Sequence, residues 1–347
     1  MMALLDGILR LALLLATLWG ALALGHRAPI APLGRWMAVG CWLLSGGLWL
    51  WLAWQGARFG PLAAMTVQMM ALLAWWRRLQ PAADLDWADD VAYLAMGDVE
   101  GHRLVLHHVR HFDWHTPHDA SGGWERRVYD LQCLNAVDLF VSRWGRPGIA
   151  HVLVSFGFSG GEASDTDFVT FSVEVRRERH ERFSEMGGFF KQYELAIIAA
   201  DERDAVRLRS NLRGERVTLY HITLSHEARR DLLLALVGAA NDLAREPRFY
   251  HTITANCTTL VFAMMRRIIE GLPMDHRLLL SGLLPGYIHD HGGLVPGYSL
   301  HELHRLGDIT QRAREADRAD DFSRRIREGV PGWSERADPA NATERRS

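Results

Sequence analysis

The stretch "RFYHTITANCTTLVFAMMRRI", Arg248–Ile268, sets the reading of this chain. Cys257 follows an Asn and precedes two Thr, where an apolar run of helical period begins. Asn is a good helix N-cap, so Cys257 falls in the first turn, at the positive end of the helix dipole. The dipole lowers a thiol pKa, and the thiolate is the reactive form. Unpaired amides of the same turn can hold an oxyanion. A cysteine kept for packing needs no such setting. Asn256, Thr258 and Tyr250 are the candidate supporting groups around it.

A thiol nucleophile needs a base. His151 opens the apolar stretch "AHVLVSFGF", where a packing residue would be Val, Ile or Phe. It is either a general base or a core histidine satisfied by backbone. Glu174 lies in "FSVEV" and shares one strand face with Ser172. A carboxylate there can orient the imidazole, completing a nucleophile, base and orienter; the bland alternative is a solvated strand residue.

Working outward, Arg103–Trp114, Ile149–Phe158, Asp167–Glu178, Tyr193–Ala200 and Arg216–Leu224 read as strands, the second and third as a hairpin. "RVYDLQCLNAVDLFVSRW", Arg127–Trp144, shows helical spacing at Leu131, Leu134, Val137 and Val141. Ser225 N-caps a helix that Pro247 stops. The expected fold is α+β, an antiparallel sheet packed with helices. Five histidines in "LHHVRHFDWHTPH" (His107, His108, His111, His115, His118) suggest a metal, but alternate strand residues face opposite sides, so no metal site is expected. The charged runs "VEVRRERHERF" and "AADERDAVRLRSNLRGER" read as solvated surface.

The first 80 residues are almost uncharged. Ile8–Gly25 and Trp36–Trp54 are each long enough to cross a bilayer; Pro61–Trp76 is shorter and contains Gln68. Two or three transmembrane helices over 1–80 are therefore expected, then a soluble domain over 85–330 and a disordered tail over 331–347. Counting arginines in the flanks favours a cytoplasmic domain. The net charge of −2 suggests no nucleic-acid partner, and three irregularly spaced cysteines (Cys41, Cys133, Cys257) suggest neither a disulfide framework nor a zinc knuckle.

The order and spacing of "RVYDL…VDLFVSRWG", "AHVLVSFGF", "FSVEVRRE", "GGFFKQYELAIIAADERDAVRLRSNLR", "LYHITL", "PRFYHTITANCTT" and "DFSRRIREG" resemble the Lnb N-terminal periplasmic domain family, DUF4105. The resemblance implies a papain-like fold, similar to a permuted NlpC/P60 peptidase, and a cysteine–histidine site linked to bacterial lipoprotein N-acylation. Matched motif by motif, Cys257 takes the place of the nucleophile, His151 of the base and Glu174 of the acidic residue. It also implies a domain on the periplasmic side of the bacterial inner membrane, which outweighs the arginine count. The best-known members carry their membrane helices after this domain, whereas here they precede it. The expectation is a membrane-anchored, cysteine-dependent acyltransferase with a thioester intermediate and no cofactor. Its partners would be membrane lipid and a lipoprotein or acylated peptide. The alternatives are a cysteine amidase or peptidase acting on peptide or peptidoglycan, and a non-catalytic anchored scaffold in which "NCTT" only caps a helix.

Overall fold

The computed structural model describes residues 2–28, 31–145, 148–159, 167–269 and 271–333, which divide into two compact units. The first holds the chain up to Ala82 together with Arg182–Glu194 and Arg248–His251. Its three helices, α1 (Met2–Arg27), α2 (Pro32–Trp54) and α3 (Phe59–Arg78), are each long and apolar enough to cross a membrane. Most of their large apolar side chains face outward, as lipid-facing surfaces do. The third helix, the weakest candidate from sequence, keeps its polar residue inside. Gln68 Oε1 accepts a hydrogen bond from Trp49 Nε1 at 3.1 Å, so no unpaired amide oxygen faces lipid. Small residues bring α1 and α2 close: a Cβ on Gly46 would lie 2.3 Å from Thr17 Oγ1, and one on Gly20 would meet the Trp42 ring. The two short segments of this unit pair with each other, Glu194 bridging Phe249 and the Tyr250 N–H donating to Tyr193 O.

The second unit is built on an eight-stranded sheet. In chain order the strands are β1 (Met96–Glu100), β2 (Arg103–Thr116), β3 (Asp119–Asp130), β4 (Leu134–Arg143), β5 (Ala150–Phe158), β6 (Asp167–Arg176), β7 (Glu194–Ala200) and β8 (Arg216–His221). They lie in the order β1-β2-β7-β6-β5-β4-β8, with β3 also paired to β2. Three helices matter here: α4 (Glu202–Arg207), α5 (His226–Arg245), N-capped by Ser225 as expected, and α6 (Cys257–Ile268).

Three expectations are corrected. The sheet is mixed, because β2 pairs with β7 in parallel, Val109 opposite Ala199 and Arg110 opposite Ala200. Strand β2 leaves β1 for β7 at His108, which takes a left-handed φ of 57° at the register shift. Arg127–Trp144 is no helix: it is the end of β3, a single 3-10 turn at Leu131–Cys133, and β4. Strand β4 is buried on both faces over almost its whole length, so it shows a continuous apolar run instead of alternation. Short apolar runs of this kind are ambiguous by periodicity alone. At the C-terminus, Pro331–Trp333 belong to the fold: the Trp333 indole packs on Phe168 and donates to Asp138 at 3.1 Å. The rest of the expected tail, 334–347, lies outside the described residues.

Candidate functional site

The β5–β6 hairpin positions the first two groups. Leu153 pairs with Ser172 in an antiparallel register, and the same register two residues on sets His151 across from Glu174. Ser172 and Glu174 are two residues apart on β6, so both side chains lie on the face that His151 uses. The His151 Nε2 lies 2.7 Å from Ser172 Oγ and 3.1 Å from Glu174 Oε1. The Ser172 hydroxyl donates its one proton to Glu174 Oε1 at 2.7 Å. It can therefore only accept from His151, and the carboxylate can only accept. Nε2 must carry the hydrogen.

Helix α6 packs across β5 and β6 and delivers that thiol. Asn256 caps the helix as the sequence predicts. Its Oδ1 accepts from the Thr258 and Thr259 amides, both at 2.9 Å, and Thr259 Oγ1 accepts from the Asn256 N–H. Cys257 is the first helical residue, 7% exposed, and its thiol is close enough to His151 for the two to shift each other's protonation. The cap has a cost for one expectation. It uses the Thr258 and Thr259 amides, so the first-turn donor left over is the Cys257 N–H itself. The buried Thr258 Oγ1 has no hydrogen-bond partner among the described residues. Tyr250 falls in the other unit, with its N–H on Tyr193 O.

The electrostatics favour a charged pair. Burial and the Arg209 charge push the His151 pKa down, but Glu174 and Cys257 outweigh them and lift it to about 9. Burial pushes the Cys257 thiol up, and the His151 hydrogen bond and charge, with help from the Val152 N–H, bring it below its ordinary value. Burial likewise opposes ionisation of Glu174, yet His151 and Arg209 hold it well below the usual carboxylate range. All three shifts favour the charged forms, thiolate, imidazolium and carboxylate.

Sequence reasoning missed Arg209. It lies in a π-helical turn, Leu208–Leu212, directly after α4, and such turns recur at functional sites. Only 6% exposed, it donates to Glu174 Oε1 at 3.1 Å and to Glu215 Oε2 at 3.4 Å. Ser172 and Glu174 also line a small cavity with Arg110, Arg209, Arg213 and Asp90, roomy enough for about one or two waters. Only the alternation of Val206 and Leu208 with Arg207 and Arg209 hinted that the run is buried.

The five histidines do not gather. His107 bonds Asp98, His108 the Leu94 carbonyl, and His115 Ser121. Among the described residues His111, Glu125 and Asp201 bring their ligand atoms within 4.8 Å of one another. The Arg127 guanidinium bonds both carboxylates there and supplies the positive charge itself.

Residues 121–282 match the family model of the Lnb N-terminal periplasmic domain. This stretch is similar to that family. The match runs from the start of β3 to just beyond α6 and contains His151, Ser172, Glu174, Arg209 and Cys257. No curated protein and no solved structure matches the chain. A domain similar to the Lnb N-terminal domain, following three helices apolar enough to cross a membrane, marks a membrane-anchored protein.

Proposed function

We propose that the Lnb domain of this chain is a cysteine acyltransferase that takes an acyl group from a lipid ester and passes it to an amine, such as a lipoprotein N-terminus. The observation that carries this reading is the Asn256-capped start of α6, which sets Cys257 beside His151, whose Nε2 lies 3.1 Å from Glu174 Oε1, with the thiol pKa lowered and the imidazole pKa raised. The Cys257 sulfur attacks the ester carbonyl carbon, and the Cys257 N–H stabilises the oxyanion. The C–O bond then breaks, and the leaving alkoxide takes a proton from the His151 imidazolium. An amine attacks the resulting thioester, now-neutral His151 accepts its proton, and the C–S bond breaks to restore thiolate and imidazolium. Glu174 and Ser172 hold the ring throughout. The apolar anchor favours a lipid donor over a soluble peptide, because it keeps the enzyme at the surface where acyl esters reside.

The test is intact-mass measurement of the full chain incubated with phospholipid in the absence of an amine. The wild type should gain one acyl mass, labile to hydroxylamine, and Cys257→Ala should gain none. An acylated alanine variant ends the reading. Steady release of free fatty acid without an acceptor would assign the site to hydrolysis.

A further inference from the structure

The first unit carries a second polar feature, independent of the chemistry at Cys257. Helices α1 and α3 end in Arg27 and Arg78, and the segment Arg182–Glu194 packs against them in the same unit. Lys191 stands over the Trp76 ring at 5.1 Å and over Phe249 at 5.2 Å. The Arg27 guanidinium stands over Phe249, also at 5.2 Å. Two cations therefore share one aromatic ring. Phe190 stacks on His26 and tilts against Trp19, extending the aromatic surface along the helix ends.

The charges are poorly matched. Arg27 reaches Glu194 at 3.4 Å, but that carboxylate oxygen also accepts from the Ala82 N–H. Among the described residues Lys191 has one hydrogen bond, to the Trp76 carbonyl at 2.9 Å, and no carboxylate partner. An ammonium has three donors, so two remain. The backbone at Lys191 is also strained: φ is 53°, a left-handed value that a non-glycine residue rarely takes without reason.

We propose that Lys191 and Arg27 bind the phosphate of a phospholipid headgroup, with Trp76, Phe190 and Phe249 as the aromatic floor at the lipid interface. Aromatic side chains at the ends of apolar helices sit at headgroup level. Basic side chains at that level attract anionic lipid. Phe183 and Met186, in the same segment, are exposed and suit contact with acyl chains. Burial and the Arg27 charge lower the Lys191 pKa, and a phosphate between the two cations relieves that repulsion.

The experiment is native mass spectrometry of the detergent-solubilised full chain in a Cys257→Ala background, so that no turnover consumes lipid. It is titrated with dioleoyl phosphatidylglycerol, with the diacylglycerol of the same chains, and with inorganic phosphate as competitor. Phosphatidylglycerol should be retained and diacylglycerol should not. Lys191→Gly should weaken retention about fivefold or more, and Lys191→Arg should keep it. Glycine accepts the left-handed backbone, so Lys191→Gly should melt no lower than its parent. A lower melting temperature would make the lysine a structural cap of α3 and overturn the proposal. Unchanged retention in both Lys191→Gly and Arg27→Gln, or equal retention of diacylglycerol, would overturn it too. Displacement of the lipid by millimolar phosphate would show that the site reads free phosphate, against the lipid assignment.

Discussion

Arg327 and Arg209 are both buried beside carboxylates, yet among the described residues the first makes four hydrogen bonds and the second two. Arg327 donates to Asp138, to both oxygens of Glu202 and to the Ser323 carbonyl, beneath the Phe168 ring at 3.6 Å. Asp138 is completed by His221 and Trp333, and Glu202 by Ser155. That network closes on itself, as a structural one should. Arg209 reaches Glu174 and Glu215, and the chain of contacts then runs on through His151 to a thiol. One end of it is free to change protonation. Burial of charge alone does not separate structure from chemistry; an unsaturated end does.

The contrast breaks most visibly at Arg327. Arg327→Met leaves two carboxylates buried without their counter-ion and should cost about 3–5 kcal/mol of stability. Thermal melting of the full chain in detergent checks this, and the protein that remains folded should keep a wild-type pH profile. At the open network the order reverses, with activity falling and stability holding. Glu174→Gln should slow thioester formation about a hundredfold at pH 8. The sign on pH follows from Glu174 raising the His151 pKa. Activity needs the imidazolium, so the alkaline limb, near pH 9 in the wild type, should move down toward pH 6.5 in the variant. Arg209→Gln should cost less, about tenfold. Because Arg209 lowers the His151 pKa, its removal should shift the alkaline limb upward, the opposite direction. A rate–pH profile of both variants separates the two effects, and identical limbs would reduce Arg209 to a packing residue.

The grouping of Cys257, His151 and Glu174 was legible because local rules exposed it: a cap residue before Cys257, a histidine in an apolar strand, and a two-residue spacing on β6. Arg209 was not, since its partners Glu174 and Glu215 confer burial only once the chain has folded. The same run hides Glu202 and Asp204, each 1% exposed. Strand β4 was misread because coverage on both faces erases the period that marks a strand. Gln68 weakened α3 on paper, and its pairing with Trp49 is invisible to any count of hydropathy.

The hairpin register has a consequence for the order in which the site assembles. His151 and Glu174 need only two adjacent strands to meet, so synthesis can assemble that pair early. Cys257 leaves the ribosome well after both, and its sulfur acquires a base only when α6 docks. Until then it is an ordinary thiol. Reactivity toward an alkylating reagent would therefore report the docking of α6, the last step in assembling the site.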